Sequence, residues 1–493
     1  DLRARRTLPD PYPLKDDGAG LFFPDAGDPN TGAAWTPIGN RVHEVYREYY
    51  QRVGAALQRY KQRGESDDAH EAALTLVRLA YAFPTLDYSR YLTSTVHDPG
   101  PFGRDYSCRR RETVAFFLPH YPMYVDPLLY QYDELFDSIR DNQPLADSVG
   151  RFVPWVKTPQ DVIRLIDMYL VQTTAKRILR YHYHTDPMDI ANLAAVVGDR
   201  RVTDPWLEWL FSRTFIYPLP VGGIQDTMIS GTNREGTEFV GSTYYAQGEG
   251  ASRVAASLDQ YLRAGGDPKY DLSDQQRYPK PAAHLYWRLE NVVGGRDFLR
   301  IGDVCGPDKG PGHTLRDLEF ARSGWRWTRD PKFAFLLKNC LTRGQETDAE
   351  WSEIEAAAQR QPRAPWLDNR SRVLPTWAGI LESGVEHDDY RFRRAAYVRV
   401  GYGIGHEHQD SLDLQVVAQG LPMTIDGGQR RGYTIPTDSA SFVHNTVLVD
   451  GAAAYRHSWV SALADQAGAR YLAAEAVPPA GVQLLRRQVA LVD

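Results

Sequence analysis

Five consecutive residues, His406-Glu407-His408-Gln409-Asp410, carry the densest chemistry in the chain. Side chains alternate along an extended segment, so His406, His408 and Asp410 would share one face. Two imidazoles and a carboxylate on one face are costly to desolvate unless they bind something. Asp426 and His444 stand farther along, each at the end of a β-prone run and beside turn residues. A His, Asp, His set from three adjacent strands is a nitrogen and oxygen donor set suited to zinc, with room for a water. The competing reading is a cluster of partly exposed polar groups at a sheet edge.

A second segment, GTNREGTEFVGSTYYAQGEG (231–250), gathers Asn233, Arg234, Glu235, Glu238 and the pair Tyr244 and Tyr245. Arg234 either faces an anionic group or is a solvated loop charge. Glu235 and Glu238 lie too close in sequence to flank a sugar easily, and glycoside hydrolases place their two acids on separate elements. Adjacent tyrosines at a helix start are ordinarily packing groups.

The elements that must position these residues change character along the chain. Residues 1–40 are rich in Pro, Gly and Asp and read as an irregular lead-in. From 41 to 300 helices dominate. Val42, Val45, Tyr46, Tyr49, Val53, Ala56, Leu57 and Tyr60 follow the i, i+3, i+4, i+7 spacing of an amphipathic helix. Residues 68–83 repeat the pattern, and Thr158-Pro159-Gln160-Asp161 is a helix start, with a capping hydroxyl, a first-turn proline and an early carboxylate. Further helices are expected near 123–140, 186–197, 203–213, 245–264 and 349–360. No repeat of fixed length runs through the helical part, which disfavours the common solenoids and leaves an α/α toroid of helical hairpins as the better reading. Residues 301–385 form a transition with room for a first strand or two. From 386 to 493, short β-rich runs such as SLDLQVVAQG, PMTIDGG and HNTVLVDG alternate with Gly, Asp and Asn turns, the pattern of an antiparallel β-sandwich. Helices first and strands second imply separate domains.

The ordered set H-x-H-x-D, A-x-G-x-P-x-x-x-D-x-G and H-N-T-V-x-V-D-G, from Gly405 to Gly451, resembles the heparinase II/III-like domain. That family joins an α/α toroid to a β-sandwich and includes heparin, alginate and chondroitin lyases. The resemblance implies a divalent metal, zinc or else calcium, held by His408, Asp426 and His444 in a mainly structural role, and places His406 at the active site. The 231–250 segment is similar to the family stretch that carries the catalytic tyrosine: an E-G-x-x-Y alignment selects Tyr244, with Val240 where a Glu should stand, and E-x-S-x-x-Y selects Tyr245. The family's neutralising Asn falls on Asn192, followed here by Leu193 instead of the usual His; His182 and His184 are nearby candidates for that imidazole. Asn233, Arg234, Glu238 and His184 are the implied substrate-binding residues.

The implied reaction is β-elimination on a uronic-acid-containing glycan, giving a 4,5-unsaturated uronate. A uronate C5-epimerase, an α/α-toroid glycoside hydrolase and a non-catalytic glycan-binding protein are the alternatives. Composition agrees with an anionic polysaccharide as partner. Twenty-nine Tyr and eleven Trp offer rings that stack on sugar faces. The net charge of −6 argues against nucleic acid, and no apolar run is long enough to span a membrane. Cys108, Cys305 and Cys340 lack metal-type spacing and allow one disulfide at most. The resemblance implies a secreted or periplasmic location, although the chain opens on no signal-like segment. The β part is short for that family, so either residues 300–400 complete the sandwich or the chain is one piece of a larger protein.

Overall fold

The computed structural model describes residues 21–25, 28–35, 37–83, 125–175, 186–211, 215–216, 219–220, 232–237, 241, 243, 251–302, 318–341, 343, 346–401, 407–424, 440–454 and 457–493. Helices and antiparallel sheets share the chain, which divides into two compact units: Asp1–Gly222 with Ala264–Gly266, and Gly223–Arg263 with Asp267–Asp493.

The first unit opens on a hairpin, β1 (Leu21–Asp25) and β2 (Asp28–Trp35), inside the stretch expected to be irregular. The β-prone Leu21-Phe22-Phe23 run outweighs the flanking Pro and Gly. Helices α1 (Pro37–Arg63) and α2 (Ser66–Ala82) follow. Lys61 and Arg63 complement the dipole at the end of α1, and Gly64, at φ +71°, closes it in a left-handed turn. Val53, Ala56 and Leu57 of α1 are buried, as are Ala69, Ala72, Ala73 and Leu76 of α2, and Arg59 ties the two helices by bonds of 2.7 Å to both Asp68 and Glu71.

Then come α3 (Val125–Arg140), α4 (Gln143–Gly150), α5 (Pro159–Ile166), α6 (Asp186–Val197) and α7 (Arg200–Phe211); α3, α6 and α7 lie close to the expected spans and α5 opens at the expected start, whereas α4 was not expected. The expected cap of α5 is a full capping box: Asp161 N–H donates to the Thr158 hydroxyl, and the Asp161 carboxylate accepts from Thr158 N–H. Beyond Ile166 the helix widens into a π turn over Asp167–Val171, where the Asp167 carboxylate accepts from the Tyr132 hydroxyl at 2.9 Å. Two-stranded pairing joins β3 (Phe215–Ile216) to β4 (Leu219–Pro220).

The second unit is layered. Its helices are α8 (Ala251–Arg263), α9 (Pro279–Glu290), α10 (Leu318–Thr328), α11 (Pro331–Cys340) and α12 (Asp348–Ala358), the last four sharing a core that includes Leu285, Phe320, Phe333 and Ile354. A small hairpin pairs β5 (Val292–Val293) with β6 (Asp297–Phe298). A five-stranded antiparallel sheet runs β11-β10-β9-β8-β7, with β7 (Arg372–Leu374), β8 (Ala378–Ser383), β9 (Arg394–Arg399), β10 (Leu414–Ala418) and β11 (Leu421–Pro422). A three-stranded sheet holds β12 (Ser458–Gln466), β13 (Ala469–Ala476) and β14 (Leu485–Val492).

Strand β8 is buried along its whole length because both of its faces are covered. Ala378 and Ile380 meet Trp287 of α9 and Leu299 on one side; Leu381 meets Leu472 and Ala474 of the three-stranded sheet on the other. Gly379 lies between them at a close approach of the sheets, where a Cβ would stand 2.7 Å from Leu472 and Val460 side-chain atoms. This layering explains why the boundary expected near residue 300 falls inside one unit: α9 and the hairpin after it supply the apolar face on which the sheet packs. The sheet itself begins at Arg372, inside the expected transition.

Buried charge completes the junction. Glu382, 1% exposed, accepts from Gly294 N–H at 3.1 Å and from Arg372 at 3.2 Å, and burial pushes its carboxyl above the usual range despite the arginine. Arg372 also donates to the carbonyls of Glu290 and Val292. Hairpin, helix α9 and sheet are thereby held at one point.

Candidate active site

The Asn233–Thr237 segment is a tight turn. Asn233 N–H donates to Thr237 O at 2.7 Å and Gly236 N–H to Asn233 O at 3.0 Å. Gly236 sits at φ +90°, where a Cβ would lie 2.3 Å from the Ala283 carbonyl. No side chain fits there, so the turn presses directly on α9. His284 of that helix, fully buried, bonds Gly236 O through Nδ1 at 2.8 Å. A carbonyl can only accept, so Nδ1 carries the proton. Burial, reinforced by nearby Arg288, pushes the His284 imidazole down to about 3, and it is neutral at physiological pH.

The side chains of the turn are engaged with one residue of the sheet unit, Thr376. Asn233 Nδ2 donates to the hydroxyls of Thr237 at 2.9 Å and Thr376 at 3.0 Å. The Glu235 carboxylate accepts from Thr376 N–H at 3.0 Å, from the Thr376 hydroxyl and from Thr237. Glu235 thus spends its charge on positioning. Arg234, at the tip of the same turn, is exposed.

Thr376 links this turn to the histidine-rich segment. Arg399, 4% exposed, donates from Nη1 to Thr376 O and Trp377 O at 3.1 Å each and to Val400 O. Its Nε lies 3.6 Å from Asp410 Oδ1, and both side chains are 5% exposed. The segment expected to be a strand with His406, His408 and Asp410 on one face is instead irregular from Glu407 on. It turns at Asp410–Asp413 (Asp413 N–H to Asp410 O, 2.8 Å), with Leu412 at φ +61°. Glu407, His408 and Asp410 are all buried and only Gln409 is exposed, because Asp410 turns in to meet Arg399.

The HNTV stretch departs from expectation in the same way. Instead of a strand it is a turn at His444–Asn445 and then irregular chain, directly after a 3-10 turn at Ser441–Val443. Side-chain hydroxyls replace the ladder: Ser441 donates to Gln409 O at 2.5 Å and Thr446 to Ser411 O at 2.6 Å. These bonds lay His444 beside His408, both under a tenth exposed, with ring centroids 5.2 Å apart and planes at 47°. Two imidazoles bound through nitrogen to one tetrahedral ion have centroids about 5 Å apart, a separation that two rings in plain tilted contact share. Among the described residues no group of three or more His, Cys, Asp or Glu is placed to hold a metal. The third expected ligand, Asp426, lies outside them.

Asn192 belongs to the first unit. It is 2% exposed on α6, and its Oδ1 accepts from the Tyr130 hydroxyl at 2.9 Å. A tyrosine donating to the carbonyl oxygen fixes the amide with its NH2 on the other side. Tyr244, Tyr245, Glu238, His406 and His184, together with His182, lie outside the described residues. Sequence reasoning missed Thr376, Arg399, His284 and Tyr130. Only Arg399 left a signal, as a charged residue closing the apolar run Ala395–Val398.

No protein-family model matches the chain, and no curated protein matches it in sequence. Solved structures do. A heparinase III with methylated lysines matches at a TM-score of 0.54 and 13% identity, over 89% of this chain and 60% of its own. The heparan sulfate lyase HepC from Pedobacter heparinus matches at a TM-score of 0.54 and 12% identity, over 90% of this chain and 59% of its own. A mutant of that lyase gives 0.55 and 11%, over 91% and 60%. The chain therefore has a heparinase-like fold and spans about 60% of the length of these proteins. A fold hosts many chemistries, so activity must be argued from the site.

Proposed function

We propose that this chain is a polysaccharide lyase that cleaves an anionic, uronic-acid-containing glycan by β-elimination. One observation carries the reading: the Asn233–Thr237 turn and the His408–Asp410 segment, the two stretches with lyase-like sequence, are bound to the same backbone at Thr376 and Trp377 through Glu235 and Arg399. The heparinase-like fold supports it. In this reading the helical part forms an α/α toroid, the two sheets form a β-sandwich, and the protein acts outside the cytoplasm.

The C5 proton of a uronate is weakly acidic while the adjacent carboxylate is charged. Neutralising that carboxylate and stabilising the developing enediolate is worth several kcal/mol. Asn192 does so through its amide N–H, and Arg234 adds positive charge. His406, or the tyrosinate of Tyr244 or Tyr245, accepts the C5 proton. The C–H pair becomes the C4=C5 double bond, the C4–O4 bond breaks with its electrons on O4, and a tyrosine hydroxyl protonates O4. Tyrosine has an ordinary pKa of about 10, so Arg234 and His406 would lower it if it acts as base. Asn233, Glu238 and His184 orient the sugar. His408, Asp426 and His444 would hold zinc, or calcium, which supplies a structural staple between segments of the cleft floor.

The test is ultraviolet absorbance of the unsaturated uronate over alginate, heparan sulfate, chondroitin and hyaluronan, with wild type, Tyr244→Phe and Tyr245→Phe. Product from wild type that one variant abolishes identifies substrate and tyrosine together. No product on any polymer removes the lyase reading, and solvent deuterium appearing at C5 without cleavage would replace it with an epimerase.

A further inference from the structure

The segment between α4 and α5 is a closed loop. Phe152 N–H donates to Val149 O at 3.0 Å and Val156 N–H to Val153 O at 3.0 Å. At Gly150 a Cβ would stand 2.8 Å from Val156 O, so the two ends of the loop touch. Val153 and Val156, each 1% exposed, anchor it from below. Their burial turns Trp155, which lies between them, outward at 40% exposed, and Arg151 and Lys157 on either side are exposed as well.

The loop continues into an aromatic surface. Phe152 meets Tyr81 edge-on at 6.1 Å, and Tyr81, itself 40% exposed, stacks on Tyr169 of the π turn at 5.8 Å and 20°. The Arg78 guanidinium lies 5.5 Å over the Phe152 ring. Among the described residues Arg78, Arg151 and Lys157 make no ion pair, whereas Arg59, Lys61, Arg140 and Arg201 of the same unit each do. The nearby Asp161 carboxylate is taken up by the α5 cap, accepting from Lys157 N–H and Thr158 N–H at 2.9 Å each.

We propose that this surface is a binding subsite for a negatively charged pyranose chain. Exposed rings stack on the apolar faces of sugars, and three cations that make no ion pair among the described residues outnumber the one exposed carboxylate beside them, Asp147, which accepts from Gln143, so the surface selects an anionic chain over a neutral one. The choice of a uronate polymer as the ligand rests on the lyase reading; the geometry alone asks for acidic sugars.

Affinity electrophoresis of the full chain through gels holding heparan sulfate, alginate or neutral dextran tests it. Wild type is retarded by an acidic polymer and not by dextran. Trp155→Ala weakens that binding by about tenfold, roughly the loss of one stacked ring. Trp155→Tyr keeps most of it, and Arg151→Ala/Lys157→Ala makes it less salt-sensitive. Equal retardation of wild type and Trp155→Ala overturns the subsite, as does no retardation of wild type or equal retardation by dextran. Trp155-dependent binding without unsaturated product leaves the subsite and removes the lyase. Product formed with binding indifferent to Trp155 does the reverse.

Discussion

Charged side chains mark two regions of this protein, the seam around Arg399 and the loop around Trp155, and the two use them oppositely. At the seam the charges are consumed internally. Arg399 is shared among three carbonyls and Asp410, and Glu235 is spent on Thr376 and Thr237. At the loop, Arg151 and Lys157 are exposed and make no ion pair among the described residues. Buried charge without partners is costly, so the seam must be complete before it can be stable. Exposed charge carries no such demand and remains available to a ligand. A cation's role here follows from its burial more than from its type.

The largest effect should come from breaking the seam. Arg399→Met leaves Asp410 buried without its cation and should cost about 3–5 kcal/mol in stability, measured by denaturant unfolding. Arg399→Met/Asp410→Leu should recover much of that loss. If the double variant is as unstable as the single one, the ion pair is not what the arginine contributes.

A smaller, pH-dependent effect belongs to His284. Its folded pKa, pushed down to about 3, lies below the ordinary value of 6.5, so the unfolded chain binds the extra proton first. The neutral imidazole's contribution is complete above about 6.5 and is lost as pH falls from there toward 3, a few kcal/mol at most. His284→Gln keeps a donor for Gly236 without titrating. Its melting temperature should therefore fall less than wild type's between neutral and mildly acidic pH; parallel curves would show that His284 is not the sensor.

Smaller again is the cap of α5. Thr158→Ala removes the hydroxyl that accepts from Asp161 N–H and should cost about 1 kcal/mol, read as a modest drop in melting temperature. At the far end of the scale, Trp155→Ala should change stability by less than about 0.5 kcal/mol. A large loss there would mean that the ring packs the loop, and the contrast between the two regions would fail.

Much of the helical framework was legible because its signals are local. Thr158 and Asp161 are three residues apart, and the spacing of Val53, Ala56 and Leu57 marks one helix face whatever lies opposite. The hairpin at Leu21–Trp35 was missed because its Pro, Gly and Asp flanks read as coil. The histidine segments were legible in type and misjudged in shape. His408 and His444 do meet, but through turns instead of strands, since hydroxyls of Ser441 and Thr446 take carbonyls that a ladder would have used.

The sequence by itself determined most of the long helices, the α5 cap, and the residue types available for chemistry, because these depend on neighbours within a turn or two. Tertiary structure alone decided which charges would be structural. Glu235 and Thr376 are 141 residues apart, and nothing in either stretch announces the other. Their meeting follows from α9 pressing against the five-stranded sheet, a consequence of apolar burial on both faces of β8 that no local pattern encodes.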